Sequence, residues 1–388
     1  VVFAGGDPDR SMERTRRAVL GSLAAGSAAL AGCAAPTTGR ERGGESIYTR
    51  VYNEVVPAVA VVHAAENDRK VGQGSGFALD PQTIITNHHV VAQGSEIDIG
   101  IADGRWSSAT VVGSDTHSDL AVLSIDDNIS APETLPFVEE PQPVGTEVMA
   151  IGAPFGLSES LSRGIVSARG RSVQGLSRFS IPAAIQTDTE VNSGSSGGPL
   201  VDLAGDVAGV VFASQGGNVG FAVSAALATR VIPELRETGS YDHSYLGVTI
   251  LTVEPQIADA NGLDRPRGVL VVETTDGGPS DGVLQPSITD SGDADSDAAD
   301  SDTDDPPANG SEPTPDEPTP DQPQSGAAAI PTGGDVILAI GGSEIDNTDE
   351  LSRVLALETR PGQTVPIRVL RDGEEIVVDV TLGTLPDA

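Results

Sequence analysis

Glycine and proline break this chain into pieces that suit strands and turns better than long helices. There are 46 glycines and 27 prolines among the 388 residues. Between them the apolar residues fall in short runs: Ala58–His63, Gly76–Leu79, Thr83–Thr86, Ile97–Ile101, Ser108–Val112 and Leu120–Ile125, then Glu147–Ile151, Gly164–Ala168, Ala184–Thr187, Gly209–Phe212 and Gly220–Val223. Short strands at regular spacing, parted by turn residues, predict a sandwich or barrel, and about twelve of them suit two six-stranded barrels with a cleft between. Aromatic residues are only 3% of the chain against 38% hydrophobic, so the cores must rest on Val, Ile, Leu and Ala.

Charge removes several function classes. The 57 acidic and 22 basic residues leave a net charge of −35, and Lys70 is the only lysine. No basic patch exists to hold nucleic acid. An acidic solvated surface keeps a protein dispersed. At molar salt the screening length falls to about 3 Å, so self-repulsion of this size predicts a protein from a salt-loving organism. Cys33 is the one cysteine, which leaves no internal disulfide and no cysteine-based zinc site. The five histidines, His63, His88, His89, His117 and His243, show no metal-ligand spacing. No metal or other cofactor is expected.

The chemistry lies in three separated segments. Gly194-Ser195-Ser196-Gly197-Gly198-Pro199 is a loop that can present a serine hydroxyl beside backbone N–H groups. A serine is a weak nucleophile without a base and an orienting acid. Upstream stand Thr86-Asn87-His88-His89-Val90-Val91 and Ser118-Asp119-Leu120-Ala121-Val122-Leu123. The order His, Asp, Ser is that of chymotrypsin. Two histidines compete for the base; the second, His89, stands at Thr-x-x-His after a strand and is the better placed. Asp119 opens an apolar strand and suits the acid, with Asp115 a second candidate. Ser196 is the expected nucleophile, and the N–H groups of Gly194 and Ser196 the expected oxyanion hole.

The N-terminus reads as an address. Thr15-Arg16-Arg17 precedes a short small-residue apolar run from Ala18 to Ala31, which looks like a twin-arginine export signal. The run ends in Leu30-Ala31-Gly32-Cys33, which resembles a lipoprotein box and implies lipidation of Cys33 and anchoring outside the cytoplasm. Residues 1–44 are thus expected to be signal, box and tether.

Residues 50–235 resemble the HtrA (Deg) family of trypsin-like serine proteases. The strings that carry the likeness are Gly74-Ser75-Gly76-Phe77, Ile85 to Val91, Asp119 to Leu123, Ile151 to Leu157, Gly164 to Ala168, Ile185 to Asp188 through Val201, and Gly220 to Val223. The family usually has Asn-Pro-Gly-Asn before Ser-Gly-Gly-Pro, and here Asn192-Ser193-Gly194-Ser195 stands instead. Its usual Thr-Asn-Asn-His is Thr-Asn-His-His here. The segment from His63 to Gly72 is too short for the long regulatory loop of some members. The resemblance implies a mainly β protein with a double-barrel protease domain over residues 45–238. It implies cleavage of unfolded or damaged exported proteins and assembly as a homotrimer, with Tyr48 and Tyr52 of a short helix near Ser46–Glu54 at the interface. By analogy, Phe212, Ala213 and Ser214 form one wall of the pocket for the residue before the cut, and Gly220, Phe221 and Ala222 the other. Glu190 stands near enough in sequence to intrude. Small or medium apolar side chains are the expected preference.

From 243 to 388 the pattern resembles a PDZ domain. Strand-like pieces lie at Val269–Glu273, Asp335–Ile340, Thr364–Leu370 and Glu375–Leu382, with a helix over Asp349–Glu358 capped by Asn347 or Thr348. Tyr245-Leu246-Gly247-Val248 is the expected loop for a peptide C-terminal carboxylate. Within this domain residues 286–328 turn to Asp, Ser, Pro and Thr, a composition that predicts a disordered acidic insert. The expected activity is a serine endopeptidase of protein quality control. Two other readings keep the same residues: a signalling protease cutting one membrane substrate under PDZ control, or a catalytically idle chaperone or peptide-binding protein.

Overall fold

A computed structural model describes residues 45–125, 131, 133–153, 160–175, 180–192, 194–214, 219–288 and 330–386. Arg16, Arg17 and Cys33, and all of the acidic insert beyond Ile288, lie outside the described residues.

Helix α1 (Ile47–Val55) buries Val51 and Val55, one turn apart. The first barrel then forms from β1 (Val59–Glu66), β2 (Arg69–Asp80), β3 (Thr83–Thr86), a single helical turn α2 (His88–Val91), β4 (Glu96–Ile101), β5 (Trp106–Asp115) and β6 (Leu120–Ile125). It closes in the order β1-β2-β3-β6-β5-β4. The second is built from β7 (Glu147–Gly152), β8 (Ser160–Gln174), β9 (Ser180–Thr187), β10 (Pro199–Val201), β11 (Val207–Ser214) and β12 (Gly220–Ser224), and closes as β10-β11-β12-β9-β8-β7. Closure leaves neither sheet an edge. The two barrels fill with Val, Ile, Leu and Ala, as the low aromatic content requires, with Phe77 and Phe212 the largest buried side chains.

Helix α3 (Ala225–Thr238) follows directly on β12. Its Ala228, Val231, Ile232 and Leu235 form a buried stripe. Ser224 Oγ caps it by accepting from Leu227 N at 3.4 Å, and Gly239 ends it at φ +87°.

The last domain comprises β13 (Ser244–Tyr245), β14 (Val248–Thr252), α4 (Pro255–Ala260), β15 (Val269–Thr274), β16 (Val336–Ile340), β17 (Ser343–Glu344), α5 (Thr348–Glu358), β18 (Thr364–Arg371), β19 (Glu374–Thr381) and β20 (Gly383–Thr384). Its main sheet runs β14-β15-β16-β18-β19, so β14 is an edge strand. Asn347 caps α5, its side chain accepting from Glu350 N at 3.0 Å. Ser287 N donates to Val271 O at 2.8 Å and Ile288 pairs with Thr332 in an isolated antiparallel bridge, so the chain at the start of the expected insert is tied to the domain.

Helix α5 is held to the protease side at both ends. Asp349 Oδ1 accepts from Ser172 N of β8 at 2.9 Å. Arg230 of α3 donates to Leu357 O at 2.8 Å and to Thr359 O, meeting carbonyls that the helix end leaves unpaired.

Candidate active site

The site lies where the turn after β3, the start of β6 and the loop before β10 meet. His89 sits in α2. Its Nδ1 lies 2.7 Å from Asp119 Oδ2, and its backbone N–H donates to Asp119 Oδ1 at 2.9 Å. The backbone carbonyl of Asp119 accepts from Asn87 Nδ2 at 2.8 Å and from His88 N at 3.2 Å. Four contacts thus lock one aspartate to one turn. Asp119 is 2% exposed and holds φ +54°, a conformation uncommon for any residue but glycine. An ionised carboxylate only accepts, so the proton of His89 sits on Nδ1 and its Nε2 carries a free lone pair.

His88 points the other way. Its Nε2 lies 3.4 Å from Thr116 Oγ1. Burial pushes its pKa down, and the charges of Asp119 and Asp115 only partly offset this, which favours the neutral ring. Asp115, the second candidate acid, is turned away from His89: its Oδ2 lies 2.8 Å from His243 Nε2.

The serine loop is seated by its backbone against β2 and β11. Ser196 O accepts from Ser75 N at 2.7 Å, and Gly197 N donates to Val211 O at 2.8 Å. Gly197 holds φ +86°, and a Cβ there would run into Ser75 O and Thr86 Oγ1 and stand 3.2 Å from Asn87 N. Only glycine fits. Ser196 Oγ donates to Phe212 O at 3.3 Å, and no hydrogen bond joins it to His89. The N–H groups of Gly194 and Ser196 have no acceptor among the described residues, and Gly194 holds φ +95°.

Ser75, which no motif marks as functional, ties the site together. Fully buried in β2, its Oγ donates to Gly194 O at 2.7 Å and accepts from Ala153 N at 2.9 Å. The signal was in Gly74-Ser75-Gly76, where one serine stands between two glycines that cannot carry a side chain into the loop.

The expected pocket strands are neighbours: Val211 pairs with Ala222, Ala213 with Phe221 and Ser214 with Gly220. The Phe212 side chain lies in the core with its ring centroid 6.3 Å from that of Phe221, and it is the carbonyl of Phe212 that faces Ser196. Glu190 is exposed and accepts from Asn192 Nδ2 at 3.2 Å.

In the last domain, Tyr245 to Val248 is braced from behind. Ser280 Oγ donates to Leu246 O at 2.6 Å, Thr275 N to Gly247 O at 2.9 Å, and Gly247 turns at φ +73°. Tyr48 and Tyr52 are half-buried against the core shared by the two barrels, and Tyr48 Oη donates to Glu147 of β7 at 2.6 Å beneath Arg163 of β8.

Two family models match the chain: a trypsin-like peptidase domain over residues 74–210 and a PDZ domain over 244–382. A probable periplasmic serine endoprotease, DegP-like, of Halomonas elongata is 36% identical over 321 residues, 81% of this chain and 57% of the relative. Its counterpart in Hahella chejuensis is 34% identical, with the same coverage. The chain therefore spans a little over half the length of these relatives. Among solved structures, the HtrA-type protease AlgW with a tripeptide is similar at a TM-score of 0.66 and 29% identity, covering 88% of this chain and 98% of that one. The serine endoprotease from Yersinia pestis is similar at 0.58 and 27% identity, covering 89% and 100%.

Proposed function

The chain belongs to the HtrA (Deg) family of trypsin-like serine proteases with a PDZ domain, and on that premise we propose that it is an extracytoplasmic serine endopeptidase. The observation that carries this is the Asp119 clamp on His89, which leaves Nε2 free beside the Ser196 loop. For attack, the Ser196 hydroxyl must leave Phe212 O, which it meets at 3.3 Å, and turn to His89 Nε2. His89 then takes the proton as Ser196 Oγ attacks the scissile carbonyl. Asp119 holds the imidazole in its tautomer and stabilises the cation that forms. The N–H groups of Gly194 and Ser196 receive the oxyanion; one such donor is worth about 2.7–4 kcal/mol in related chemistry. His89 returns the proton to the leaving amine, and water releases the acyl group by the same steps in reverse.

Substrates in this reading are unfolded or damaged exported polypeptides. The PDZ domain takes a peptide C-terminus at Tyr245–Val248, with the peptide pairing along the open edge of β14. A twin-arginine signal, lipidation of Cys33 and a homotrimer complete the proposal, and the net charge of −35 suits a salt-loving host. Fluorophosphonate labelling and casein digestion in molar salt test the chemistry. Wild type should do both and Ser196→Ala neither; a wild type that does neither rejects the reading.

A second reading, a signalling protease gated by its PDZ domain, is favoured by the attachment of α5 to β8 and α3. Under it, a C-terminal peptide raises the cleavage rate of wild type, and Arg230→Ala, which loosens α5, raises it without peptide. Equal rates in all three conditions reject gating.

A further inference from the structure

Four of the five histidines gather around two aspartates four positions apart, and the triad uses only one of them. The second pair, His243 and Asp115, lies behind the first, where the chain leaves the barrels for the PDZ domain. Strand β5 ends there, pressed against the end of α3. Ser114 N donates to Gly239 O at 3.3 Å. A Cβ on Gly113 would run into Leu235 O and stand 2.9 Å from Gly239 Cα. The connecting segment therefore passes directly behind the turn that leads to Asp119.

Asp115 organises that turn from within. Its Oδ2 accepts from Ser118 N at 2.9 Å and from Ser118 Oγ, and its Oδ1 from His117 N at 3.3 Å. The outside donor is His243 Nε2 at 2.8 Å, from the connecting segment. The two side chains are only 10% and 7% exposed. A carboxylate buried this deeply needs each of its donors, since removing one leaves an unsatisfied charge. His243 is itself held. Tyr241 meets its ring edge-on at 4.7 Å, the His117 ring lies 5.3 Å away, and its backbone carbonyl accepts from Leu385 N at 2.9 Å. The next residues, Ser244 and Tyr245, pair with Thr384 and Gly383 of the PDZ domain.

We propose that His243 is a positioning residue of the active site: by holding Asp115 it fixes the Thr116–Ser118 turn that keeps Asp119 in the left-handed conformation from which its carboxylate reaches His89. The catalytic consequence rests on the protease reading above; the geometric one does not. A motion of the segment between barrels and PDZ domain that carries His243 with it then reaches the triad through Asp115.

The test uses the full chain with wild type, His243→Ala and His243→Gln. The glutamine amide can still donate to Asp115. His243→Ala should lower kcat on a fluorogenic peptide about tenfold with KM within about twofold, because positioning acts on the reacting state more than on binding. His243→Gln should restore most of kcat. The far-downfield proton resonance of His89 Nδ1–H should be present in wild type and His243→Gln, and shifted or lost in His243→Ala. A folded His243→Ala with unchanged kcat and resonance overturns the proposal, as does a loss that glutamine fails to restore. Should the alanine variant not fold, His243→Asn, whose shorter amide falls short of Asp115, replaces it; equal behaviour of the Asn and Gln variants is the overturning result. A wild type that neither hydrolyses peptide nor labels with fluorophosphonate refutes the protease reading, and the resonance still decides the positioning.

Discussion

Two His–Asp pairs lie at opposite ends of one short turn, and they differ in which imidazole nitrogen the carboxylate holds. In His89–Asp119 it is Nδ1, at 2.7 Å. In His243–Asp115 it is Nε2, at 2.8 Å. A ring held by Nδ1 keeps its far tip free, and that tip can collect a proton from a neighbour. A ring held by Nε2 has its far tip occupied, and its remaining nitrogen lies beside its own backbone. Near-equal distances and deep burial therefore serve different ends: one pair can move a proton, and the other can only hold structure.

The largest effect that separates the pairs is on turnover. Asp119→Asn should keep the fold but favour the wrong tautomer of His89, and kcat should fall by about 10⁴, as in trypsin-type triads. Asp115→Asn removes neither His89 nor its carboxylate and only loosens the turn that leads to Asp119, so its loss in kcat should be at least a hundredfold smaller. Steady-state hydrolysis of one peptide by both variants measures this. Comparable losses would erase the distinction drawn from the two nitrogens.

Gly197→Ala attacks the first pair from the serine side. The residue holds φ +86°, and its Cβ position is occupied by Ser75 O and Thr86 Oγ1. Strain and overpacking together should cost about 2–5 kcal/mol. Because the collision is with β2 and the end of β3, which leads into the turn that carries His89, fluorophosphonate labelling should be lost in any fraction that stays folded. Urea denaturation and labelling of the same sample separate the two effects. Full labelling would mean the loop tolerates a shift that the packing here forbids.

Legibility in the sequence followed the same division. The strands Thr83–Thr86 and Leu120–Ile125 stand where apolar runs and turn residues put them, because alternation and punctuation are local. The strand Pro199–Val201 is only three residues long, so no run announces it, although it completes the second barrel. Helix α3 was hidden by Pro233, a helix breaker in isolation; its buried stripe against the barrels overrides that local preference. The first His–Asp pair could be traced from chain order and strand position. The second could not: His243 and Asp115 are separated by 128 positions, and nothing local in Tyr241-Asp242-His243 marks a partner. Ser75 was obscured likewise, since its role depends on Gly194 and Ala153 meeting above it.

Acid sharpens the comparison through stability. Burial raises the pKa of Asp115, but the His243 hydrogen bond and charge and the Ser118 donors outweigh it, and the net direction is downward. A carboxyl lowered in the fold contributes stability above its unfolded pKa, about 3.9, and that contribution is lost as pH falls through the lower folded value. At neutral pH, Asp115→Asn should cost about 1.5–3 kcal/mol, the worth of hydrogen bonds to a charged group. The gap between wild type and variant should then close in acid below the ordinary carboxylate range. Urea unfolding across a pH series measures it; a gap that does not narrow would mean the carboxylate is not what holds the turn.

The smallest effect concerns His88, the imidazole between the pairs with no carboxylate bound to either nitrogen. Burial lowers its pKa more than Asp119 and Asp115 raise it, and the neighbouring His89 adds to the lowering. The folded chain thus keeps His88 neutral at a pH where the unfolded chain has begun to protonate it. The unfolded state binds more protons in that window, so stability rises with pH there and is lost as pH falls below about 6.5. His88→Asn places an amide at the position and removes the titration. Near neutrality its kcat should stay within about twofold of wild type and its stability within about 1 kcal/mol, since neither triad contact is touched. Below about pH 6.5 it should lose stability more slowly than wild type. A large drop in kcat would show that His88 shares the work of His89, and the contrast between bound and unbound imidazoles would then fail at its weakest member.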